Sequence, residues 1–323
     1  MRTVRKASIL SGLANSIPGL DYRPARIAKK SEKGALMSGF KSPWDYQRFA
    51  TAVRNERRFF QASEVRAFLE AVHRGSVDRR VDLPAGKVFS RAQTGFAEWN
   101  RRDDEGREWI EEVPFRPERM IPPSRNVPEG RINPRGIPYL YLATDDKTAI
   151  SEVRPSVGTP VSVAKFRTSR QLTLVDLSGE TRRDGPPATG LDWLLSVAYR
   201  MDQLSQEEID RYVWAQIDFA FSKPVDSNDE YLNYVPTQVI AESLAEDGND
   251  GVFYGSGLNL KGYNLALFDI HSAEFLNAQL FRVVRVDYDI NDMGNPWFLK
   301  DGKYFTHEIT EIFPVDADAP TKE

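Results

Sequence analysis

The order in which strand-like and helix-like segments follow one another constrains this chain most. From Lys87 onward come short runs rich in β-branched and aromatic residues: KVFSR at 87–91, IPYLYLA at 137–143, VSVAKF at 161–166 and LTLVDLS at 172–178. Such runs suit the pleated, half-buried surface of a strand. A helical middle then interrupts them. Apolar residues recur at helical spacing over 191–203 and 207–221, and a further helix is expected from Pro236 to Asp247, where Gly248 stops it. Strands return with GVFY at 251–254, YNLALF at 263–268 and QLFRVVRVDY at 279–288. Asp301-Gly302, between Trp297-Phe298-Leu299 and Tyr304-Phe305, has the chemistry of a hairpin turn. Strands placed before and after a helical block, instead of alternating with helices, disfavour a doubly wound sheet and predict an α+β fold.

Ahead of the first strand, Ser42, Pro43 and Asp45 have the form of an N-cap, a first-turn proline and an imperfect capping box. Tyr46, Phe49 and Val53 continue at helical spacing, and a second helix is expected from Ser63, with Val65, Phe68, Leu69 and Val72 on one face before Gly75. The charged stretch Asp78–Asp82 and the Pro84-Ala85-Gly86 turn set a boundary near residue 82. Four regions are therefore expected: a basic arm over 1–41, a helical extension over 42–82, a catalytic domain over 83–290, and a hairpin with an acidic tail over 291–323. Gly95–Pro134, which contains Arg101-Arg102-Asp103-Asp104-Glu105, reads as one long polar loop.

Composition removes several classes of function. The 323 residues include no cysteine, which excludes disulfides, thiolate metal sites and a cysteine nucleophile, and makes a reducing cytoplasm the default expectation. The hydrophobic share is 41% and no apolar run is long enough to span a membrane. At the amino terminus, Ser11, Asn15 and Ser16 interrupt what would otherwise resemble a signal peptide, so none is expected. A net charge of -4 argues against nucleic acid as the main partner, although residues 1–41 carry nine Lys or Arg against only Asp21 and Glu32.

Familiar motifs fail on inspection. Gly255-Ser256-Gly257 begins a dinucleotide fingerprint, but Leu260 stands where the third glycine belongs. There is no P-loop, and His307-Glu308 is not a zinc motif because Glu311 replaces the second histidine. Asp287, Asp289 and Asn291 open a calcium loop that Asp292 and Phe298 then break. Only three histidines occur, His73, His271 and His307, and no sequence evidence pairs one of them with a serine as a triad would require. No metal site is expected.

Four places combine chemically capable residues with strand-like flanks. Arg91 closes KVFSR. Arg131 lies in GRINPRG, just before the strand bearing Tyr139 and Tyr141. Glu152 sits in TAISEV among apolar neighbours, and Ser256 follows GVFY in a glycine-rich turn, with Asn264 entering the next strand. Taken singly, each has a plainer role that wins: a surface ion pair, a turn, a helix-surface glutamate, a turn serine. Taken together and in order, KVFSRA, GRINPRGIPYLYLA, TAISEVRP, VSVAKF and DGVFYGSGLNLKGYNLALF resemble the RES-domain family, named for an arginine, a glutamate and a serine. The resemblance spans about residues 86–270 and makes this chain a long variant.

The resemblance implies an ADP-ribosyltransferase-like mixed β core and an activity that consumes NAD by releasing nicotinamide. NAD would be the substrate, with no separate cofactor. It implies Glu152 as the carboxylate that stabilises the ribosyl cation, with Arg91 and Ser256 completing the catalytic set. Arg91 and Arg131 would grip the diphosphate, Tyr141 would stack on nicotinamide, and Asn264 would support the site. Water, inorganic phosphate or a macromolecule could accept the ribosyl group, so NAD glycohydrolase, NAD phosphorylase and ADP-ribosyltransferase all remain open. A non-catalytic module that senses NAD or binds a partner also stays open. The family further implies a toxin or defence effector with an antitoxin protein as partner.

Overall fold

A computed structural model describes residues 39–56, 62–178, 200, 203–223, 230–288, 290, 297–300 and 303–306. Nearly all of the basic arm, most of the helix expected over 191–203 and the acidic tail lie outside these residues. The chain divides into two compact units, Met1–Val284 and Arg285–Glu323. The second holds β11 (Trp297–Lys300) paired antiparallel with β12 (Lys303–Thr306); Asp301-Gly302, where a hairpin turn is expected, lies outside the described residues.

The first unit is built on an eight-stranded mixed sheet. Its strands are β1 (Arg80–Leu83), β2 (Val88–Thr94), β5 (Leu140–Ala143), β6 (Pro160–Thr168), β7 (Leu172–Asp176), β8 (Gly251–Gly255), β9 (Tyr263–Leu267) and β10 (Ala273–Arg282), in the order β1-β7-β8-β9-β5-β2-β6-β10. Only β7 and β8 run parallel; every other neighbouring pair is antiparallel. The expected α+β architecture is therefore present. The strand expected at 279–288 instead begins at Ala273 and ends at Arg282. A bulge between Phe275 and Asn277 shifts its register against β6, which breaks the period-two pattern that would have revealed its first half.

The polar stretch after β2 is not one loop. It holds a separate hairpin of β3 (Ala97–Arg102) and β4 (Glu108–Val113), followed by a short helix α3 (Pro117–Met120). The Asp103 side chain organises the turn by accepting from the backbone N–H groups of Glu105 and Arg107, and Gly106 supplies the positive φ of 82° that the turn requires. With most side chains of both strands exposed, the hairpin shows no one-sided apolar alternation, which is why the sequence conceals it.

Helices cover one face of the sheet. In α1 (Asp45–Asn55) and α2 (Ser63–Ser76), Phe49, Val53, Phe68 and Val72 point into a core shared with Val213, Trp214 and Ile217 of α5 (Gln206–Ser222) and Ile240 and Leu244 of α6 (Glu230–Glu246). Val175, Val252, Tyr254 and Ala266 supply the sheet side of this core. The Phe49 and Phe68 rings stack at 4.3 Å, and burying each such side chain is worth about 2–3 kcal/mol. The expected boundary at residue 82 falls within β1.

Local signals explain the helix ends. Ser205 and Glu208 form a complete capping box at the start of α5. In α1 the helix begins two residues later than its proline suggested; the Asp45 carboxylate accepts from the N–H groups of Lys41 and Ser42 and so fixes the turn ahead of the helix. Gly75, expected to end α2, is buried inside it. Pro236, expected to begin a helix, lies within α6. A proline cannot donate to the carbonyl four residues earlier, and here that carbonyl, of Leu232, accepts from Arg54 Nε of α1 at 3.2 Å.

Candidate active site

The short helix α4 (Asp146–Glu152) carries Glu152 at its last position. Asp145 caps it, accepting from Thr148 N at 2.8 Å and Thr148 Oγ1 at 2.6 Å. Its first turn is fastened to the sheet: Asp146 Oδ1 accepts from Ser90 Oγ and from Lys165 Nζ, both at 2.6 Å. Its inner face packs Ala149 against Ala92, Ala143, Val161 and Val163.

Glu152 Oε1 accepts two hydrogen bonds, from Ser256 Oγ at 2.6 Å and Asn264 Nδ2 at 2.7 Å. Glu152 Oε2 accepts none among the described residues. Ser256 is fully buried, and its hydroxyl oxygen accepts the N–H groups of Leu258 and Asn259. Since a carboxylate can only accept, the Ser256 proton is committed to Glu152. Glu152 thus forms one hydrogen-bonded group with two residues more than 100 positions later, with one carboxylate oxygen fixed and the other without a hydrogen-bond partner among the described residues.

Strand register sets what surrounds this group. Asn264 pairs with Ala143 on β5 and with Tyr254 on β8, and Tyr141 pairs with Ala266, two residues on from Asn264. Successive residues on a strand alternate faces, so Tyr141, Asn264 and Tyr254 share one face of the sheet. The Tyr141 hydroxyl accepts from the N–H groups of Ile132 and Asn133 and donates to Asn133 Oδ1 at 2.8 Å. Burial raises its pKa above the ordinary tyrosine value, so this proton stays in place. The Tyr141 ring is thereby fixed by its far end. Gly130 is required here because a Cβ would lie 2.5 Å from Asn133 Oδ1 and 2.9 Å from the Tyr141 hydroxyl.

Among the described residues no hydrogen bond joins either arginine to the Glu152 group. Arg131 Nη1 donates to the Phe221 carbonyl at the end of α5, and its buried Nε has no hydrogen-bond partner among the described residues. Along β2, Ser90 and Ala92 face α4 whereas Arg91 alternates to the side of Phe89. β2 and β5 share only one paired position, Ser90 with Ala143. Beside that seam Arg91 Nη1 reaches the Tyr141 carbonyl at 3.1 Å, and its Nε is buried without a hydrogen-bond partner among the described residues. No carboxylate pairs with Arg91 among the described residues. Burial lowers its pKa to about 10, with Arg119 nearby adding to the effect and Tyr141 opposing it.

The sequence reading missed Asp145, Thr148, Lys165 and Asn259, all of which hold these elements in place. Asp145 could have been found, since an Asp just before a short apolar-periodic segment is an N-cap signal. Lys165 could not, because its partners Ser90 and Asp146 are remote in the chain. Among the described residues no cluster of three or more His, Cys, Asp or Glu side chains is placed to hold a metal ion, and no helix is long and apolar enough to cross a membrane.

The RES-domain family model matches residues 98–289, which is more than half of the chain. The protein belongs to the RES-domain family. The matched span contains Arg131, Tyr141, Glu152, Ser256 and Asn264; Arg91 precedes it. Among solved structures, the chain is similar to one in the Mycobacterium tuberculosis MbcT-MbcA toxin-antitoxin complex, at 11% identity and a TM-score of 0.34, covering 64% of this chain and 90% of that one. No curated protein matches the sequence.

Proposed function

We propose that this protein cleaves the nicotinamide-ribose bond of NAD, with Glu152 as the carboxylate that stabilises the reacting ribose. The observation that carries this reading is the asymmetric environment of Glu152, in which Ser256 and Asn264 hold Oε1 while Oε2 has no hydrogen-bond partner among the described residues. When the bond breaks, its electron pair leaves with neutral nicotinamide and positive charge develops on the ribosyl carbon. A carboxylate oxygen already fixed in position stabilises that charge without reorganising, the kind of preorganisation whose loss costs about 100-fold or more in rate. Capture by water forms a carbon-oxygen bond and releases a proton; capture by inorganic phosphate yields the ribosyl phosphate.

The rest of the site supports the same substrate. A buried guanidinium with no carboxylate partner is costly to keep unless an anion joins it, and Arg91 fits one phosphate of a dinucleotide through its planar fork. Its place beside the β2–β5 seam, away from the Glu152 group, suits an anchor of the diphosphate better than a group that touches the scissile bond. Arg131 keeps its guanidinium partly engaged with the end of α5 and would offer its remaining N–H groups. The fixed ring of Tyr141 would present its face to nicotinamide. A toxin or defence effector restrained by an antitoxin is the setting that family membership suggests.

Purified protein incubated with NAD, with and without inorganic phosphate, tests the reading by chromatography of the products. Free nicotinamide with ADP-ribose identifies a glycohydrolase, and a phosphate-dependent product a phosphorylase. Nicotinamide released only when a protein or nucleotide acceptor is added identifies a transferase, whereas NAD bound but intact under all conditions would reject catalysis.

A further inference from the structure

We infer that Asn259 is a positioning residue for Glu152, acting through both Ser256 and the helix that carries the glutamate. The inference rests on the reading of Glu152 as the stabilising carboxylate. Asn259 lies in the turn between β8 and β9, and every polar group it has is used. Its N–H donates to Ser256 Oγ at 3.0 Å, its side-chain Nδ2 donates to Thr148 Oγ1 at 2.8 Å, its carbonyl accepts from Gly262 N at 2.8 Å, and its Oδ1 faces Lys261 N at 3.4 Å.

The Thr148 contact specifies the residue type. Thr148 is fully buried and its single hydroxyl proton goes to the Asp145 carboxylate. Thr148 Oγ1 can therefore only accept from a further partner, and that partner has to be a donor. An asparagine amide meets this requirement; an aspartate of the same shape would bring a second carboxylate up to a site already occupied by that of Asp145. Thr148 and Glu152 are four residues apart, on the same side of α4. The turn is thus fastened to α4 at two points, Asn259 to Thr148 and Ser256 to Glu152, and Asn259 takes part in both. Gly262 shows how closely the turn lies on the helix, since a Cβ there would fall 1.9 Å from Thr148 Oγ1.

The test compares Asn259→Asp, Asn259→Ala and Thr148→Ser with the parent protein, using NAD turnover and amide hydrogen exchange in the intact chain. Asn259→Asp should lower kcat for nicotinamide release at least tenfold while KM stays within about twofold. Thr148→Ser, which keeps the accepting hydroxyl, should remain near the parent. Exchange in the peptide covering 256–262 should accelerate about tenfold in both Asn259 variants, with α5 unchanged. Unaltered exchange in that peptide would overturn the positioning role whether or not the protein turns over NAD. Equal losses of kcat in Asn259→Asp and Thr148→Ser would overturn it too. A parent protein that leaves NAD intact would instead reject the catalytic reading, with the exchange data still deciding whether Asn259 holds the turn.

Discussion

Replacing Ser256 with alanine tests how the carboxylate is held. Three hydrogen bonds converge on the Ser256 hydroxyl: it donates to Glu152 at 2.6 Å and accepts from the N–H groups of Leu258 and Asn259 at 3.2 and 3.0 Å. Losing a hydrogen bond to an ionised acceptor costs about 1.5–3 kcal/mol. The two backbone N–H groups would each cost about 1–3 kcal/mol if they stayed sealed from water. The turn is partly exposed, with Leu258 at 39%, so water can reach them and their share becomes small. The net expectation is roughly 2–3 kcal/mol, which for a unit of this size lowers Tm by about 3–5 °C. Activity should fall further than stability. With Oε1 held by Asn264 alone, Glu152 regains side-chain freedom, and nicotinamide release in the folded protein should drop by about 100-fold. Calorimetry and turnover measured well below the lowered Tm provide the assay. A variant that keeps parental turnover, or whose loss of turnover tracks the unfolded fraction, would refute the reasoning that Ser256 acts by fixing the carboxylate.

Other substitutions probe other parts of the site. The drop in the Arg91 pKa to about 10 corresponds to roughly 3 kcal/mol of unfavourable burial at about 1.4 kcal/mol per pK unit. After loss of its bond to the Tyr141 carbonyl, Arg91→Met should be more stable than the parent by about 1–2 kcal/mol in chemical denaturation yet gain no thermal stabilisation from added NAD; a destabilised variant that still responds to NAD would contradict the anchor role. Gly130→Ala should lower stability by about 1–3 kcal/mol, because the new methyl meets Asn133 Oδ1 and the Tyr141 hydroxyl; an unchanged Tm would show that this turn yields easily.

The sheet was legible wherever a strand carried its apolar pattern on its own. VSVAKF and GVFY read as strands because both lie in the interior of the sheet, between neighbours on either side. The β3–β4 hairpin was not legible, since it exposes most of its side chains, and neither was the start of β10, where the bulge breaks the alternation. Pro236 misled because its helical fit depends on Arg54, far away in sequence, receiving the freed carbonyl of Leu232. Within the site, Glu152, Ser256 and Asn264 were identifiable as a set through family resemblance, whereas Asn259 was not, because its role comes from a contact with Thr148 that only the folded chain creates. Alternation along β2 also separates Arg91 from the Glu152 group, a relation that residue order alone does not reveal.

The most direct test of the central claim is single-turnover nicotinamide release by the parent protein and by Glu152→Gln, which keeps the shape of the side chain and its contacts with Ser256 and Asn264 but removes the charge. The account predicts release by the parent, a loss of about 100-fold or more in the variant, and NAD binding preserved within a few-fold. Equal rates of release from the two proteins would contradict it.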